Sequence, residues 1–470
     1  MSIRMTVAEA ARVAGAKVIS RHAISTGATS KDAVAPDAVA PSGGFHGCSI
    51  DSRQVSNGAL FAALSGEQAD GHDFVHDAIE RGAGAVLSER VVEADVPLLV
   101  VKSCRRALGR LAKAWRQRFS LPIVGVTGSN GKTTVKNMIA QVLRSGGPAL
   151  TTVGNLNNEL GLPLTLMALD EPHRRAVVEL GANHMGEIDY LADMVKPQVG
   201  VITQCAPAHL EGFGSIEAVA KAKGELLLHL TGANSCAVLN ADDVYFSYWR
   251  SNCAAVRTLS FGFSKTAQIT CEWQVSDGAM EVEIRLPQES VTTRLNLLGR
   301  HNVMNAMAAA AAAHALECET DDIVRGLART APAPGRLQHH RLKTGVSLID
   351  DTYNANPVST NAAIDVLAQF AGPCWMVLGD MAELGDAAAD WHRGVGAYAK
   401  DQAIHQFFSV GCISRASSDA FGQYGQHFTN CEGLIEKLRA QYTDAGAILV
   451  KGSRSMCMER VVNALLEADS

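Results

Sequence analysis

The stretch PIVGVTGSNGKTT, residues 122–134, constrains the fold of this chain more than any other. Its apolar half has the pattern of a strand buried in a parallel sheet. A glycine-rich turn follows, and a helix is predicted to begin near Lys132. Because parallel strands are joined by crossover helices of one hand, the stretch predicts an α/β fold with a parallel sheet.

The turn departs from the usual phosphate-binding pattern G-x-x-x-x-G-K-[ST], since Val126 stands where the first glycine is expected. It keeps glycines that permit close backbone approach, a helix N-terminus with its positive dipole end, and a lysine and threonine suited to phosphate and Mg²⁺. The predicted residues of this ATP or GTP site are Gly128, Ser129, Asn130, Gly131, Lys132, Thr133 and Thr134. The loop alone does not separate kinases, GTPases and ligases, although the N-K-x-D motif with which GTPases read the base is absent.

Strand and helix patterns alternate along most of the 470 residues, a length that predicts more than one domain. We predict three α/β domains, at 1–119, 120–332 and 333–470, and a doubly wound sheet with right-handed crossovers in the central one. The segment APAPGR at 331–336 is predicted to be a linker. Residues 22–47, rich in Ala, Gly, Ser and Pro, are predicted to form a loop or insertion.

The predicted elements follow this alternation. Strands are predicted within 58–64, 82–89, 97–102, 121–126, 175–180, 198–204, 236–240, 346–350, 374–379, 406–410 and 447–451, with antiparallel strands within 267–297. Helices are predicted at 74–82, 104–119, 131–145, 186–195, 215–230, 302–317 and 320–329. Thr6 and Glu9 have capping-box spacing before a further helix that Gly15 is expected to end.

Composition narrows the class of protein. The chain has 47% apolar and 19% charged residues, with a net charge of −6 that gives no indication of a nucleic-acid or acidic-membrane partner. Its most apolar run, Ala306–Ala313, is too short to cross a membrane and predicts a closely packed buried helix. The eleven cysteines lack C-x-x-C spacing, so we expect free thiols in a reducing cytosol.

Further candidate residues follow the predicted strands. Glu179 ends RAVVEL and His209 follows QVGVITQ, and the carboxyl ends of parallel strands meet at one edge, where a second Mg²⁺ ligand belongs. A solvated acid and a structural histidine stay open as alternatives. Lys221 and Lys223 lie on an amphipathic helix, where lysines are usually solvated.

Two amide-rich motifs complete the set. GRHNVMNA places Asn302 and Asn305 three residues apart on one helical face, a spacing suited to an adenine edge or to helix capping. In LIDDTYNANP, at 348–357, a predicted strand ends in two acids and is followed by a tyrosine and two asparagines. These side chains could bind a ribose and a base, or could form a well hydrogen-bonded turn.

These motifs occur in the order seen in the Mur ligases, which the chain resembles. The motifs that carry the resemblance are TGSNGKTT, VELGANHMGEI, AHLEGFGS, AKAKGE, GRHNVMNA, LIDDTYNANP and VLGDMAELG. Residues 49–74 resemble the family's UDP-sugar-binding domain, so the resemblance leaves out only 22–47. It implies a small N-terminal α/β UDP-sugar-binding domain, a central P-loop ATPase-like domain and a C-terminal Rossmann-like α/β domain that binds the amino substrate and closes.

The resemblance is strongest to the branch that adds D-alanyl-D-alanine. It implies an ATP-dependent amide ligase that acts on UDP-N-acetylmuramoyl-tripeptide through an acyl phosphate, with two Mg²⁺ ions, in cytoplasmic peptidoglycan precursor synthesis. We further expect a monomer with no nucleic-acid partner and no membrane span. The third residue of the tripeptide, lysine or diaminopimelate, stays open.

The family's site residues carry over by motif. The implied catalytic residues are Lys132, His209 and Lys223. The implied metal set is Thr133, Glu179, His209 and Lys223, the last as a carbamylated lysine. The implied nucleotide contacts outside the loop are Asn302 to adenine, Asp351 toward the ribose, and Arg336. The implied substrate contacts are Ser52 and Arg53 at the uridine, and Asn155, Asn157 and Asn158 at the muramoyl peptide.

Three alternatives were weighed against this prediction. The relative that adds diaminopimelate or lysine is disfavoured by GDMAELG and, in its diaminopimelate-specific form, by the absence of D-N-P-R from residues 333–470. Folylpolyglutamate synthases lack the 49–74 domain. A nucleotide-binding regulatory or scaffold protein has no reason to combine Glu179, His209 and Lys223. One departure is Gln204, where these ligases more often have Asn, and it bears on the geometry near His209.

Overall fold

The computed structural model describes residues 3–19, 43–66, 69–276 and 279–470, which form three α/β units in chain order. Most of the loop predicted at 22–47 lies outside the described residues. The prediction is wrong for Gly44–His46, which form a strand paired antiparallel with Arg4–Thr6. This three-residue strand has no apolar run that would predict it from the sequence. It forms by pairing with a segment that lies far away in the chain.

The N-terminal unit has a five-stranded sheet in the order β2-β7-β6-β5-β4 and a two-stranded pair β1-β3. Its strands are β1 Arg4–Thr6, β2 Lys17–Ile19, β3 Gly44–His46, β4 Cys48–Ser49, β5 Leu60–Ala62, β6 Ala85–Ser88 and β7 Leu98–Val100. Its helices are α1 Val7–Ala14, α2 Val75–Glu80 and α3 Cys104–Arg116. As predicted, Thr6 caps α1 by accepting the Glu9 N–H at 3.2 Å, and Gly15 ends it at φ 64°.

The central unit has a six-stranded sheet, all parallel, in the order β13-β12-β11-β8-β10-β9. Its strands are β8 Ile123–Thr127, β9 Ala149–Thr151, β10 Arg175–Glu179, β11 Val199–Ile202, β12 Cys236–Asn240 and β13 Arg257–Phe261. Its helices are α4 Lys132–Ser145, α5 Gly161–Met167, α6 Glu187–Val195, α7 Leu210–Phe213, α8 Ile216–Gly224 and α9 Phe246–Asn252. Strand order reverses beside β8, so the predicted doubly wound fold is confirmed, and a ligand crevice belongs at the carboxyl end of β8.

A three-stranded antiparallel sheet and two helices complete the central unit. They are β14 Thr270–Ser276, β15 Ala279–Arg285, β16 Ser290–Leu295, α10 Arg300–Ala315 and α11 Thr320–Ala328. Every residue of Ala306–Ala313 is buried, which confirms the closely packed helix predicted there.

The C-terminal unit has a six-stranded sheet in the order β17-β18-β22-β19-β20-β21, in which β17 alone is antiparallel. Its strands are β17 Gln338–Arg341, β18 Ser347–Asp351, β19 Cys374–Gly379, β20 Gln406–Val410, β21 Gly425–Phe428 and β22 Ala447–Lys451. Its helices are α12 Pro357–Leu367, α13 Ala388–Asp401, α14 Arg415–Phe421, α15 Cys431–Gln441 and α16 Glu459–Ala468.

The N-terminal and central units share one hydrophobic core, whereas the core of the C-terminal unit is its own. One apolar cluster runs from Ile3 through Leu108 of α3 to Leu226 of the central unit. The apolar clusters of the C-terminal unit consist of its own residues, apart from the partly buried Leu298 packed against them. The C-terminal unit is therefore packed as a separate body. In the part of the chain that the structure describes, no helix is long and apolar enough to span a membrane.

Candidate active site

A cavity of about 1280 Å³ lies where β8, β10 and β11 end, between the central and C-terminal units. Most of the predicted site residues meet there. Those that line it are Ser129, Asn130, Gly131, Lys132, Thr133, Thr134, Asn155, Asn157, Asn158, Glu179, His209, Asn302, Arg336 and Asp351. Residues from seven separate parts of the sequence, between 129 and 351, are thereby brought to one place.

The glycine-rich loop, residues 128–134, has no room for other side chains at its two glycines. Gly131 has φ 81°, and a Cβ there would lie 2.5 Å from the Asn305 side-chain oxygen. Gly128 has φ 142°, and its Cβ would lie 2.0 Å from the Thr203 hydroxyl. The backbone therefore needs glycine at both positions, where the sequence predicted close approach to a phosphate.

Lys132 begins α4 and folds back over the loop. Its Nζ donates to the carbonyl oxygens of Gly128 at 2.8 Å and Ser129 at 3.2 Å. Burial lowers the pKa of Lys132, while the Glu179 carboxylate opposes that shift. A half-buried ammonium whose hydrogen bonds are to carbonyl oxygens is suited to bind an anion such as a phosphate.

Glu179, 2% exposed at the end of β10, offers one carboxylate oxygen without a partner. Oε1 accepts a hydrogen bond from Asn157 Nδ2 at 2.8 Å. Oε2 is buried and has no hydrogen-bond partner among the described residues. Such an orphaned oxygen beside the loop fits a cation, since Mg²⁺ typically takes one or two carboxylates and completes its shell with phosphate oxygens and water.

His209 lies at φ 53°, directly before α7. Its Nδ1 pairs with the carboxylate of Glu383, which belongs to the C-terminal unit. Burial lowers the pKa of His209, although Glu383 opposes this effect. A lower pKa favours the neutral ring, in which one nitrogen can accept, as a metal ligand must.

Lys223 is buried, so the expectation that lysines on this helix are solvated is wrong for it and right for Lys221. Its Nζ lies 3.4 Å from the Ala182 carbonyl oxygen and 5.3 Å from the centre of the Phe213 ring. Burial, with a smaller effect of Lys132, lowers the pKa of Lys223 to about 7. A lower pKa increases the fraction of neutral amine, the nucleophilic form of a lysine.

The described residues contain no group of three or more His, Cys, Asp or Glu side chains placed to hold a metal ion. The predicted metal set depends instead on the Thr133 hydroxyl, Glu179, His209 and a modified Lys223. Thr133, Glu179 and His209 line the cavity, whereas Lys223 is not among the residues that line it. A hydroxyl and a carboxylate oxygen fit Mg²⁺, which keeps several waters and is held largely by substrate phosphates.

Arg336 reaches from the C-terminal unit to the glycine-rich loop. Its Nη2 donates to the Thr133 hydroxyl at 3.1 Å, and its guanidinium carbon lies 4.2 Å from the centre of the Tyr353 ring. Asp351 is buried nearby, where Oδ2 accepts from Lys451 Nζ at 2.5 Å and Oδ1 from the Leu337 N–H at 3.1 Å. Burial raises the pKa of Asp351 against the opposing effect of Lys451.

The amides of Asn302 and Asn305 bond to each other and to the helix. Asn305 Nδ2 donates to Asn302 Oδ1 at 3.0 Å, and Asn302 Nδ2 donates to the Leu298 carbonyl at 2.8 Å. The shared helical face predicted from their spacing is confirmed. Both side chains also line the cavity.

The predicted substrate residues fall into two groups. The three asparagines line the cavity, and Asn158 also caps α5 by accepting the Leu160 and Gly161 N–H groups at 3.2 and 2.9 Å. Ser52 and Arg53 do not line it. They lie on the N-terminal unit, where Arg53 forms an exposed 2.9 Å ion pair with Asp51.

Three family models match consecutive parts of the chain. They are the Mur ligase family catalytic domain at 44–116, the Mur ligase middle domain at 126–313 and the Mur ligase glutamate ligase domain at 335–454. A UDP-N-acetylmuramoyl-tripeptide–D-alanyl-D-alanine ligase of Escherichia coli is 42% identical over 423 residues, 89% of this chain and 93% of the relative.

The chain is a Mur ligase.

Solved structures agree with this family. A crystal structure of MurF from Acinetobacter baumannii matches with a TM-score of 0.89 at 33% identity, covering 99% of both chains. A MurF ligase from Thermotoga maritima in complex with ADP matches with a TM-score of 0.79 at 28% identity, covering 90% of this chain and 97% of that one.

Sequence reasoning missed three residues of this Mur ligase that contact predicted site residues. Glu383 pairs with His209, Lys451 with Asp351, and Asn356 with Asn130 through two amide hydrogen bonds of 2.7 and 3.3 Å. Glu383 and Asn356 lie in motifs that the sequence analysis singled out, VLGDMAELG and LIDDTYNANP. Their partners lie far away in the chain, so no local pattern revealed the contacts.

Proposed function

We propose that this Mur ligase joins D-alanyl-D-alanine to UDP-N-acetylmuramoyl-tripeptide, with cleavage of ATP to ADP and phosphate. The observation that carries the proposal is the convergence of Lys132, Arg336 and the unpartnered oxygen of Glu179 in one cavity. The 42% identity to an enzyme of that name supports the choice of substrates. The reaction belongs to peptidoglycan precursor synthesis, and therefore to cell shape and division.

The first step is activation of the peptide carboxylate. A carboxylate oxygen attacks the γ-phosphorus of ATP, the bond from that phosphorus to the bridging oxygen breaks, and ADP leaves with both bonding electrons. Both reactants are anions, so their repulsion must be offset. Lys132 and Arg336 both supply positive charge at the glycine-rich loop.

Two Mg²⁺ ions, when bound, would neutralise phosphate charge that the protein's own cations leave uncompensated. Thr133, Glu179 and His209 would hold them, together with Lys223 if its amine carries a carbamate. Burial of Lys223 and its pKa near 7 support that modification, because only the neutral amine adds carbon dioxide.

The second step forms the amide. The amine of D-alanyl-D-alanine attacks the acyl carbon, the carbon–oxygen bond to phosphate breaks, and the amine loses a proton. Water would hydrolyse the acyl phosphate, so the cavity must exclude it. The contact of Arg336 with Thr133 supports a C-terminal unit that covers the site during this step.

The remaining contacts are assigned by family position. Ser52 and Arg53 would face the uridine, the three asparagines the muramoyl peptide, Asn302 the adenine and Asp351 the ribose. We assign the enzyme to the cytoplasm as a monomer. Eleven free cysteines support a reducing compartment.

The test is ADP release with UDP-N-acetylmuramoyl-tripeptide, with and without D-alanyl-D-alanine. Release that requires both, with a product heavier by the dipeptide, supports the proposal. Turnover with a free amino acid and UDP-muramoyl-dipeptide would place the enzyme one step earlier. Parallel assays with lysine- and diaminopimelate-containing tripeptides identify the third residue.

A further inference from the structure

Glu383 belongs to the C-terminal unit, yet its carboxylate contacts the ring of His209 in the central unit, 174 residues away in the chain. The Glu211 N–H also donates to the Glu383 carbonyl at 3.4 Å. The loop after β19 therefore meets the segment around His209 through both side chain and backbone. No role for Glu383 follows from the site described above.

Both members of the pair have unusual backbone conformations. His209 has φ 53° and Glu383 has φ 61°. Side chains other than glycine rarely adopt this left-handed region, and such strain persists mainly where the surrounding structure fixes it, often at functional sites. Two such residues meet here across a contact between units.

The loop that presents Glu383 is fixed to its own unit. Asp380 accepts the backbone N–H groups of residues 412–414 at 2.8, 3.0 and 2.7 Å. The next two backbone N–H groups of the loop donate to His392 Nε2 at 2.9 Å and to Ser453 Oγ at 2.8 Å. Glu383 therefore moves as a rigid part of the C-terminal unit.

The pair is too exposed to be explained by stability. The His209 side chain is 27% exposed and that of Glu383 is 49% exposed. A contact this open to solvent contributes little to folding. A hydrogen bond from Nδ1 to a carboxylate does, however, fix the tautomer and orientation of a histidine ring, which leaves Nε2 as an acceptor.

We propose that Glu383 is a positioning residue, which orients the His209 ring only when the C-terminal unit is closed. Closure thereby completes the metal-binding side of the cavity, in addition to bringing Arg336 to the glycine-rich loop. This inference rests on the proposed function, because it assigns His209 a part in the same reaction. In this arrangement the C-terminal unit supplies the carboxylate that holds the ring of His209, a residue of the central unit.

Among the described residues, the hydrogen bonds between the central and C-terminal units fall at two separate places, which makes the inference testable. Asn356 and Arg336 bond to the glycine-rich loop at Asn130 and Thr133. Glu383 bonds to the segment that carries His209. Removal of the Glu383 carboxylate therefore leaves the loop contacts in place.

The test compares Glu383→Ala, Glu383→Gln and Asp386→Asn in the full chain. Glu383→Gln keeps an acceptor oxygen at the same position. Asp386→Asn removes one exposed negative charge from the same loop, three residues away. The two readouts are the Mg²⁺ concentration that gives half-maximal amide synthesis, and the radius of gyration in ADP and Mg²⁺ by small-angle X-ray scattering.

For Glu383→Ala we expect the half-maximal Mg²⁺ concentration to rise about 10- to 100-fold, the usual effect of losing an outer carboxylate partner. Its radius of gyration in ADP and Mg²⁺ should exceed that of the unmutated protein. Glu383→Gln should recover most of the Mg²⁺ response, and Asp386→Asn should match the unmutated protein in both readouts. Thermal unfolding midpoints that agree among the variants show that folding is unaffected.

Two results overturn the inference: a Glu383→Ala variant that matches the active unmutated protein in both readouts, or equal changes in Asp386→Asn. A protein that makes no amide before mutation contradicts the proposed function instead, so the two failures are distinguishable.

Discussion

Charged side chains in this Mur ligase are buried where their chemistry requires it. Lys132, Glu179 and Lys223 each keep a charge or an amine away from water with few protein partners. Burying such groups without full compensation opposes folding. These groups are therefore free to form electrostatic interactions with anions and cations that bind at the site.

Replacement of Lys132 by alanine should abolish most ADP release, because the phosphates lose a charge that is already in place. We expect kcat to fall about 100- to 1000-fold, the usual effect of removing a group that stabilises transition-state charge. Lys400→Ala, on the exposed surface of α13, is the matched control. Coupled ADP-release kinetics make the measurement, and retained turnover would refute the assignment of the site.

Lys223→Ala should be inactive and regain activity with small carboxylic acids such as acetate, which can replace a lost carbamate. Lys221→Ala, two residues away on the exposed face of the same helix, should behave like the unmutated enzyme. The measurement is ADP release against acetate concentration. A density map that shows a bare amine in the intact site would count against the carbamate.

Elements show how local patterns build the cavity. β8 and α4 are buried and continuous, so their apolar periodicity is readable from the sequence. The four strands of the two large sheets that the sequence did not predict, β9, β13, β17 and β21, all lie at sheet edges. Edge strands are half exposed and lack the continuous apolar run of a central strand, which is why they were missed.

The turn between β8 and α4 gives a prediction that separates strain from collision. Gly131→Ala should lower stability and weaken ADP binding at least about 10-fold. The alanine would be strained at a φ of 81°, and its Cβ would also collide with the Asn305 side chain. Gly214→Ala has the same strain, at φ 80°, with no atom within 4 Å of the new Cβ.

Gly214→Ala should therefore lose only about 1–3 kcal/mol of folding free energy and keep its ADP affinity. Chemical denaturation and calorimetric titration with ADP and Mg²⁺ measure the two effects. Equal loss of ADP affinity in both variants would show that the Asn305 contact is irrelevant.

The three units together form two bodies. The N-terminal and central units share a core, while the C-terminal unit meets the central unit through Leu298 and through polar contacts around the cavity. Polar contacts of this kind are easily exchanged with water. The molecule is therefore arranged to open for substrates and to close over them.

Closure should be measurable in solution. The radius of gyration from small-angle X-ray scattering should fall when an ATP analogue and UDP-N-acetylmuramoyl-tripeptide are added together. Arg336→Ala should compact less, because it loses the contact with Thr133. A radius of gyration that does not change with ligands would argue against the closing movement.

The amino-acid sequence was sufficient for the four inner strands of the central sheet, the glycine-rich loop, and Glu179 and His209 after strand ends. These depend on apolar runs, glycines and strand ends that are local in the chain. The order of several such motifs also identified the family. The helix of Ala306–Ala313 followed from its composition alone.

Only the tertiary structure decided which distant residues meet. It buried Lys223 where its helix pattern predicted solvent, paired β1 with β3, and set Glu383 against His209 and Asn356 against Asn130. Each of these depends on two segments separated by tens to hundreds of residues. Local periodicity carries information about the environment of one segment, whereas a contact depends on how whole sheets and units pack, which no single segment encodes.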